Sequence, residues 1–523
     1  MQNNLYENFQ YNSCISRGIC SINPRISALQ AVIIFYLKIY AAYAKNFELN
    51  YKVKNFILNT LSITINNSEF NDNSYIFAIN NFQKEILKIL NEFIDKNPEI
   101  KFEVEKEKLD KIFSETSDVI LGIKYGEKII NRVLKNVLPE IRDLYNIILL
   151  IIKNLSINLL ELESYENQNN KILSIIFELL IELNIEKQDQ NLLKKEIIKA
   201  SKANIELIKK IRLAQEKRFG KQIEKEVSFT TRPNKAVLVV GTNIRELESI
   251  LEALKDKNID IYTHDDMILA HTFPKFSNYT HLRGQFGQGI ENCLLDFATF
   301  PGPIILTRHS LHNIENLYRG QLFTTDYITS PKGIIKIKDN NFNEVIKATE
   351  NSKGFKKGKN CESILIGYDY DSTINLITTK INNNKYKHIF IICPDDYSIE
   401  QKIYFEKLIK NTPKNILIVT FSHSQDKENL IHINTCYDNY GWFKICEFLQ
   451  TFNLDMTIFV PKCLRDTISQ IIYLSQFDNI NIYLGKCIPT IINPSIINTL
   501  KNSFLIKDIT NSKKDLEEII KDK

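Results

Sequence analysis

Glycine and proline are scarce in this chain of 523 residues, at 16 and 13. A collagen-like repeat or a Pro/Gly-rich linker protein cannot be built from so few. No glycine-rich phosphate cradle is present. The first short strand ends in Gly241-Thr242-Asn243, but neither G-x-G-x-x-G nor G-x-x-x-x-G-K-[ST] occurs. There is no H-E-x-x-H and no nucleophile elbow. Nine cysteines make no disulfide scaffold in this length, and an odd count cannot pair completely within one chain. Charge of one sign is lacking too: 67 Lys and Arg against 62 Asp and Glu leave a formal net charge of +5. No long basic block is available for a nucleic-acid-binding face. Met1–Ser13 holds no basic segment followed by an apolar run, so no secretory signal is read. The most apolar helical stretch, Leu144–Leu160, is interrupted by Asn146, Lys153, Asn154 and Asn158, and reads as too polar and too short to cross a bilayer. The expected class is a reduced, cytoplasmic globular protein with no nucleic-acid and no membrane partner.

What is present points to several packed cores. Apolar residues at 44% and charged residues at 25% are ordinary for a globular chain, and roughly 150 residues per domain suggests about three domains. The N-terminal part reads as helices, with apolar periodicity at Ala28–Lys45, Phe82–Ile94, Val119–Val137, Leu138–Leu162, Ile172–Leu183 and Leu192–Ala214. Lys210–Glu226 is dense in charge and reads as a solvated helix face before a domain boundary. After Phe229 the period changes. Short apolar strands at Ala236–Gly241, Ile259–Thr263, Pro303–Thr307, Ile364–Tyr368, His388–Ile392, Asn415–Phe421, Leu430–Asn434, Met456–Val460 and Ile480–Leu484 alternate with helices such as Ile244–Leu254, Ser398–Lys410, Trp442–Thr451, Leu464–Phe477 and Pro494–Phe504. Such alternation predicts parallel sheets covered on both faces, with ligands gathering at the carboxyl ends of the strands. The predicted fold class is α/β multidomain: an N-terminal helical-bundle domain over residues 1–232, then two Rossmann-like α/β domains with parallel sheets over 233–375 and 376–523.

Motifs read for chemistry alone leave the site incomplete. Cys14 and Cys20 form Cys-x5-Cys, but zinc or an iron–sulfur cluster usually needs four ligands. No other Cys, and no His, lies before His264 to complete the set. His309 and His312 straddle Ser310 just past a strand end, where two polar loop histidines are a simpler reading than a metal site. Cys446, on an apolar helix, reads as a small core residue.

Longer blocks carry a resemblance. Cys14-x5-Cys20 is followed by SINPRISALQAVIIFYLKIYAAYA. Further on come AVLVVGTNIRELESIL (236–251), IDIYTHDDMILAH (259–271), HLRGQFGQGIENCLLDFATFPGPIILT (281–307), LFTT (322–325), FEKLIKNTP (405–413), TCYDNYG (435–441) and INIYLGKCIP (480–489). In these blocks the chain resembles the hybrid-cluster protein family, also called the hydroxylamine reductase or prismane family, across essentially its whole length. The resemblance implies the family's fold of one helical and two α/β domains. It also implies a cubane held by Cys-x2-Cys and Cys-x5-Cys, and a hybrid iron–sulfur–oxygen cluster held by one His, two Glu and four Cys, one a persulfide. The family reduces hydroxylamine to ammonia and is linked to nitric oxide reduction.

Carried over position by position, the resemblance implies a loss of ligands. Cys14 and Cys20 match the second cubane pair, whereas the first pair falls near Gln2 and Leu5. The ligand His falls at Thr242, the first Glu at Asp266, and the Cys after Pro-Gly-Pro at Ser310. The persulfide Cys falls at Asp395, or at Cys393 with a two-residue shift. The next Cys falls at His423, Cys436 keeps its identity, and the second Glu falls near Leu464. The expectation is therefore a divergent relative without the hybrid cluster, non-catalytic, with a structural, assembly or regulatory role. It is expected to carry no cofactor and to self-associate as a homo-oligomer. Three alternatives stand beside it. One is an iron–sulfur oxidoreductase of the family's kind, served by a redox partner. Another is an iron–sulfur cluster bridged between two chains, with Cys14 and Cys20 of each supplying its thiolates. The third is a single zinc or iron ion held by Asp266, Asp395, His423 and Cys436.

Overall fold

The computed structural model describes residues 24–45, 47–64, 72–166, 170–183, 189–287, 293–308, 322–325, 334–383, 386–394, 399–422, 427–435, 438, 440–463, 466–487 and 495–521. The chain divides into two compact units. The first comprises Met1–Ile211, Leu306–Lys338 and Asn493–Ile496, and the second comprises Arg212–Ile305, Asp339–Ile492 and Ile497–Lys523.

The first unit is built on helices. Pro24–Ala44 is apolar round most of its circumference, and Leu29, Val32, Ile33, Tyr36 and Leu37 are all buried. That pattern is the signature of a helix enclosed by neighbours. Gly126, in Val119–Asn136, makes one close approach possible: a Cβ there would lie 2.0 Å from the Ala28 carbonyl oxygen. Tyr36 meets Thr116 Oγ1 at 2.7 Å and accepts from Gln83 Nε2 at 3.3 Å, so the buried phenol is satisfied. Two helices, Tyr51–Ser62 and Phe102–Ser114, lie outside the segments read as helical from the sequence. The first begins at an Asn50 cap that accepts from Val53 N at 3.0 Å. Pro24–Ala44 and Pro139–Glu163 are long and apolar enough to cross a bilayer by length and composition. The second includes the stretch read as too short. However, 78% of its most apolar window is buried among neighbouring helices, which a core helix also satisfies.

Two lysines are drawn into this bundle. Lys153 Nζ donates to the Thr64 carbonyl at 2.6 Å, and Lys38 Nζ donates to the Leu183 carbonyl. Burial lowers both ammonium pKa values from 10.5 to about 8. Between those two values the unfolded chain binds more protons than the folded one, so stability rises with pH across that interval. Thermal unfolding followed from about pH 7.5 to about 9.5 is expected to show a rising midpoint. That rise should be smaller in Lys153→Met, and an equal rise in wild type and variant would remove the lysine from the account.

The second unit holds the α/β part. Strands β1 (Lys225–Ser228), β2 (Ala236–Val240), β3 (Asp260–His264), β4 (Leu282–Gln285) and β5 (Ile304–Leu306) open it. β2, β3 and β4 pair in parallel, and the strands run β4-β3-β2-β5. In the first unit, β6 (Leu322–Thr324) and β7 (Ile335–Lys336) also pair in parallel. β8 (Ser363–Ile366) joins β1 in a separate antiparallel pair. This corrects the reading of Ile364–Tyr368 as one more parallel strand, since its partner is a short charged segment that apolar periodicity does not reveal. The second sheet comprises β9 (His388–Ile392), β10 (Ile416–Thr420), β11 (Leu430–His432), β12 (Asp455–Lys462), β13 (Ile480–Cys487) and β14 (Ile506–Asp508). It is parallel throughout, in the order β11-β10-β9-β12-β13-β14. Every residue of β2, β3, β9 and β10 is buried, as a sheet covered on both faces requires. The N-terminal region is thus helical and is followed by α/β architecture with parallel sheets, as the sequence indicates.

Candidate functional site

The seven positions singled out by the resemblance share one topological property: each follows the carboxyl end of a strand in one of the two larger sheets. Val240 ends β2 and His264 ends β3, two residues before Thr242 and Asp266 respectively. Leu306 ends β5, four residues before Ser310. Ile392, Thr420, His432 and Lys462 end β9, β10, β11 and β12, shortly before Asp395, His423, Cys436 and Leu464. Strand order turns at two places. β2 has β3 on one side and β5 on the other, and β9 lies between β10 and β12. Ligands of open parallel sheets gather at such switch points. Thr242 is exposed and Asp266 is half-buried. Ser310, Asp395, His423, Cys436 and Leu464 lie outside the described residues, as do Cys14, Cys20, His309 and His312.

Around Asp266 the end of β3 is held by polar contacts. Thr263 Oγ1 donates to Gln285 Oε1 at 2.6 Å and lies 3.0 Å from His271 Nε2. Gln285 Nε2 donates in turn to the Asp265 carbonyl at 3.1 Å. Asp265 turns the chain with a left-handed φ of 59°, an uncommon conformation for a residue with a side chain. A 3-10 segment, Asp265–Thr272, follows and carries Asp266. Burial lowers the His271 pKa to about 4, with Lys225 adding to the effect, so this imidazole is neutral at pH 7. His264 is fully buried. Its Nε2 lies 3.0 Å from Asp296 Oδ2, and its Nδ1 has no partner.

The best-defined contact beside Cys436 was not legible in the sequence. Arg212, inside the charge-dense stretch Lys210–Glu226, is buried and forms a two-pronged pair with Asp438. Nη1 reaches Oδ2 at 3.0 Å and Nη2 reaches Oδ1 at 2.8 Å. The expectation of a solvated face holds for Lys217, Arg218 and Lys221 and fails for Arg212. The guanidinium also donates to Gln222 Oε1 and lies over the rings of Phe273 and Tyr440, 5.8 and 5.4 Å from their centroids. Burial pulls its pKa down, but the Asp438 carboxylate more than offsets this and raises it, so the guanidinium stays charged. Asp438 accepts further from Tyr440 N at 3.1 Å and Gly441 N at 3.0 Å. Its own N donates to the Thr435 carbonyl at 2.7 Å, across the two intervening positions.

Cys393 and Cys446 behave as core residues. Cys393 follows β9 directly, and it and Cys446 are buried. Burial pushes both thiols well above their ordinary pKa, which disfavours the thiolate that attacks or binds metal. Among the described residues, no three His, Cys, Asp or Glu side chains gather to hold a metal ion.

Comparison with known proteins adds ancestry to this geometry. The sequence profile described as Prismane/CO dehydrogenase family matches residues 10–517. A hydroxylamine reductase of Thermodesulfovibrio yellowstonii is 24% identical over 98% of this chain and 98% of its own length. A hydroxylamine reductase of Methanocella arvoryzae is 23% identical over 97% of each. Among solved structures, an alpha subunit of acetyl-CoA synthase/carbon monoxide dehydrogenase aligns with a TM-score of 0.47 at 12% identity, over 96% of this chain and 83% of that one.

Proposed function

The chain belongs to the Prismane/CO dehydrogenase family, and from that premise we propose that it keeps the family fold without the cluster chemistry. In this reading it is a cytoplasmic, self-associating protein with a structural, assembly or regulatory role. The observation that carries the proposal is the donor set at the strand ends. Iron–sulfur clusters are held by soft thiolates, and neither a hydroxyl nor an alkyl group substitutes for one. At the hybrid-cluster positions the chain offers Thr242, Asp266, Ser310, Asp395, His423 and Leu464, with a single thiol at Cys436. Asp266 is one methylene shorter than the glutamate it matches, and Thr242 faces solvent. Cys14 and Cys20 alone are half of a cubane's ligands. These residues do not fit the family's clusters.

Anaerobic purification followed by iron, zinc and acid-labile sulfide analysis per chain tests the proposal. Neither sulfide nor stoichiometric iron is expected, and no hydroxylamine-dependent oxidation of a reduced viologen. Iron and sulfide sufficient for the clusters, together with that activity, would falsify it. A single ion without sulfide, lost in Asp266→Ala or Cys436→Ala, would redirect the reading to one metal held by Asp266, Asp395, His423 and Cys436.

A further inference from the structure

The contacts around Arg212 do more than bury a charge, because they join two loops that follow strands of different sheets. On one side is Asp438, in the segment after β11 that carries Cys436. On the other is Thr272, which closes the 3-10 segment after β3 that carries Asp266. Gln222 makes the link. Its Oε1 accepts from Arg212 Nη1, and its Nε2 donates to Thr272 Oγ1 at 3.0 Å. The four side chains thus form one line, Asp438–Arg212–Gln222–Thr272, and Arg212, Gln222 and Asp438 are all buried. Two further struts brace it. Ile223 N donates to the Thr272 carbonyl at 2.9 Å, and Tyr368 Oη donates to the Gly441 carbonyl at 3.4 Å. The rings of Phe273 and Tyr440 lie against the guanidinium, one from each loop.

We infer that Arg212 and Gln222 are positioning residues: they fix the Asp266-bearing turn and the Cys436-bearing loop to one another without any cluster between them. A bidentate arginine–carboxylate pair has one good geometry, and an amide that accepts at one end and donates at the other has little freedom left. Displacing either loop therefore breaks the line at a buried polar group, which is costly. The two loops move together, and an occupant of one is felt at the other through a contiguous physical link. The inference rests on the reading above only in naming 266 and 436 as former ligand positions. Arg212 Nε and Thr435 Oγ1 are buried without partners beside this line, the second of them in the loop after β11.

The test is amide hydrogen exchange, read by mass spectrometry on the full chain as purified, for peptides covering 265–272 and 435–441. Gln222→Met leaves the Arg212–Asp438 pair whole and removes only the link. It is expected to speed exchange in both peptides, on the order of tenfold, as loss of a buried hydrogen bond implies. Asp438→Asn is expected to speed exchange in the 265–272 peptide, across the line from the substitution. Acceleration confined to residues next to the substituted one would overturn the inference. Should Asp438→Asn fail to fold, Gln222→Met decides alone. Metal content measured on the same samples separates this result from the previous proposal: a loaded cluster would sink that reading while leaving the exchange result to stand or fall on its own.

Discussion

Replacing Asp438 with alanine is expected to destabilise the protein by about 3–5 kcal/mol, the usual cost of removing one partner from a buried ion pair. The side chains of Arg212 and Asp438 are 8% and 2% exposed, so water cannot take the place of the lost carboxylate. Gln222 offers the stranded guanidinium only a neutral oxygen, and the faces of Phe273 and Tyr440 offer weak attraction. The substitution also frees the amide of Tyr440 and leaves that of Gly441 only the backbone carbonyl of position 438, at 3.2 Å. A contrast within the same unit shows which feature matters. Lys221 and Asp371 also pair, but at 77% and 71% exposure, so Asp371→Ala should cost less than about 1 kcal/mol. Urea unfolding checks both: a shift of midpoint with unchanged slope reports stability itself. Arg212→Met combined with Asp438→Leu should lose less than Asp438→Ala alone, because it removes both charges from the interior. Similar losses for the buried and the exposed pair would show that burial is not what gives Arg212 its weight.

Much of the α/β part was legible because its strands are uninterrupted apolar runs. His388–Ile392 and the helix Ile244–Leu254 fall where periodicity put them. The elements that escaped are short or carry charge: β1 reads Lys-Glu-Val-Ser, β7 is two residues long, and β14 three. None has enough apolar side chains to announce a strand, and each is a strand only because a neighbouring edge pairs with it. The candidate site was legible to a different extent. Its location at strand ends follows from the alternation of strands and helices, but the particular positions came from resemblance. Arg212 escaped both approaches, since its partner lies 226 residues further on and a run of lysines and arginines reads as solvated until tertiary structure encloses one member. His264 was noted only as the first histidine in the chain. Its pairing with Asp296 depends on where the helix Cys293–Thr299 comes to rest beside β3.

Glu248→Gln is expected to cost about 1–3 kcal/mol at neutral pH, and that cost is expected to disappear in acid. The carboxylate is 4% exposed and meets Arg218 Nε at 2.7 Å. It also meets Arg245 Nη1 at 2.9 Å, as well as the Lys275 ammonium. Burial alone would raise its pKa, but the hydrogen bonds and charges of Arg218, Lys275 and Arg245 outweigh burial and lower it below 4.5. A carboxyl whose folded pKa is depressed contributes stability that is fully present above the unfolded value and is lost as pH falls through the folded one. Wild type should therefore lose stability in acid while Glu248→Gln, with nothing to protonate there, loses less. The expected cost is smaller than at Asp438 because the three cations are each about a third exposed and regain water when the charge goes. Urea unfolding of both proteins at pH 7 and near pH 3.5 measures the difference directly. If the gap between them stayed constant over that range, the amide's shape rather than the lost charge would be responsible, and the assignment of Glu248 as the electrostatic hub of this helix would have to be withdrawn.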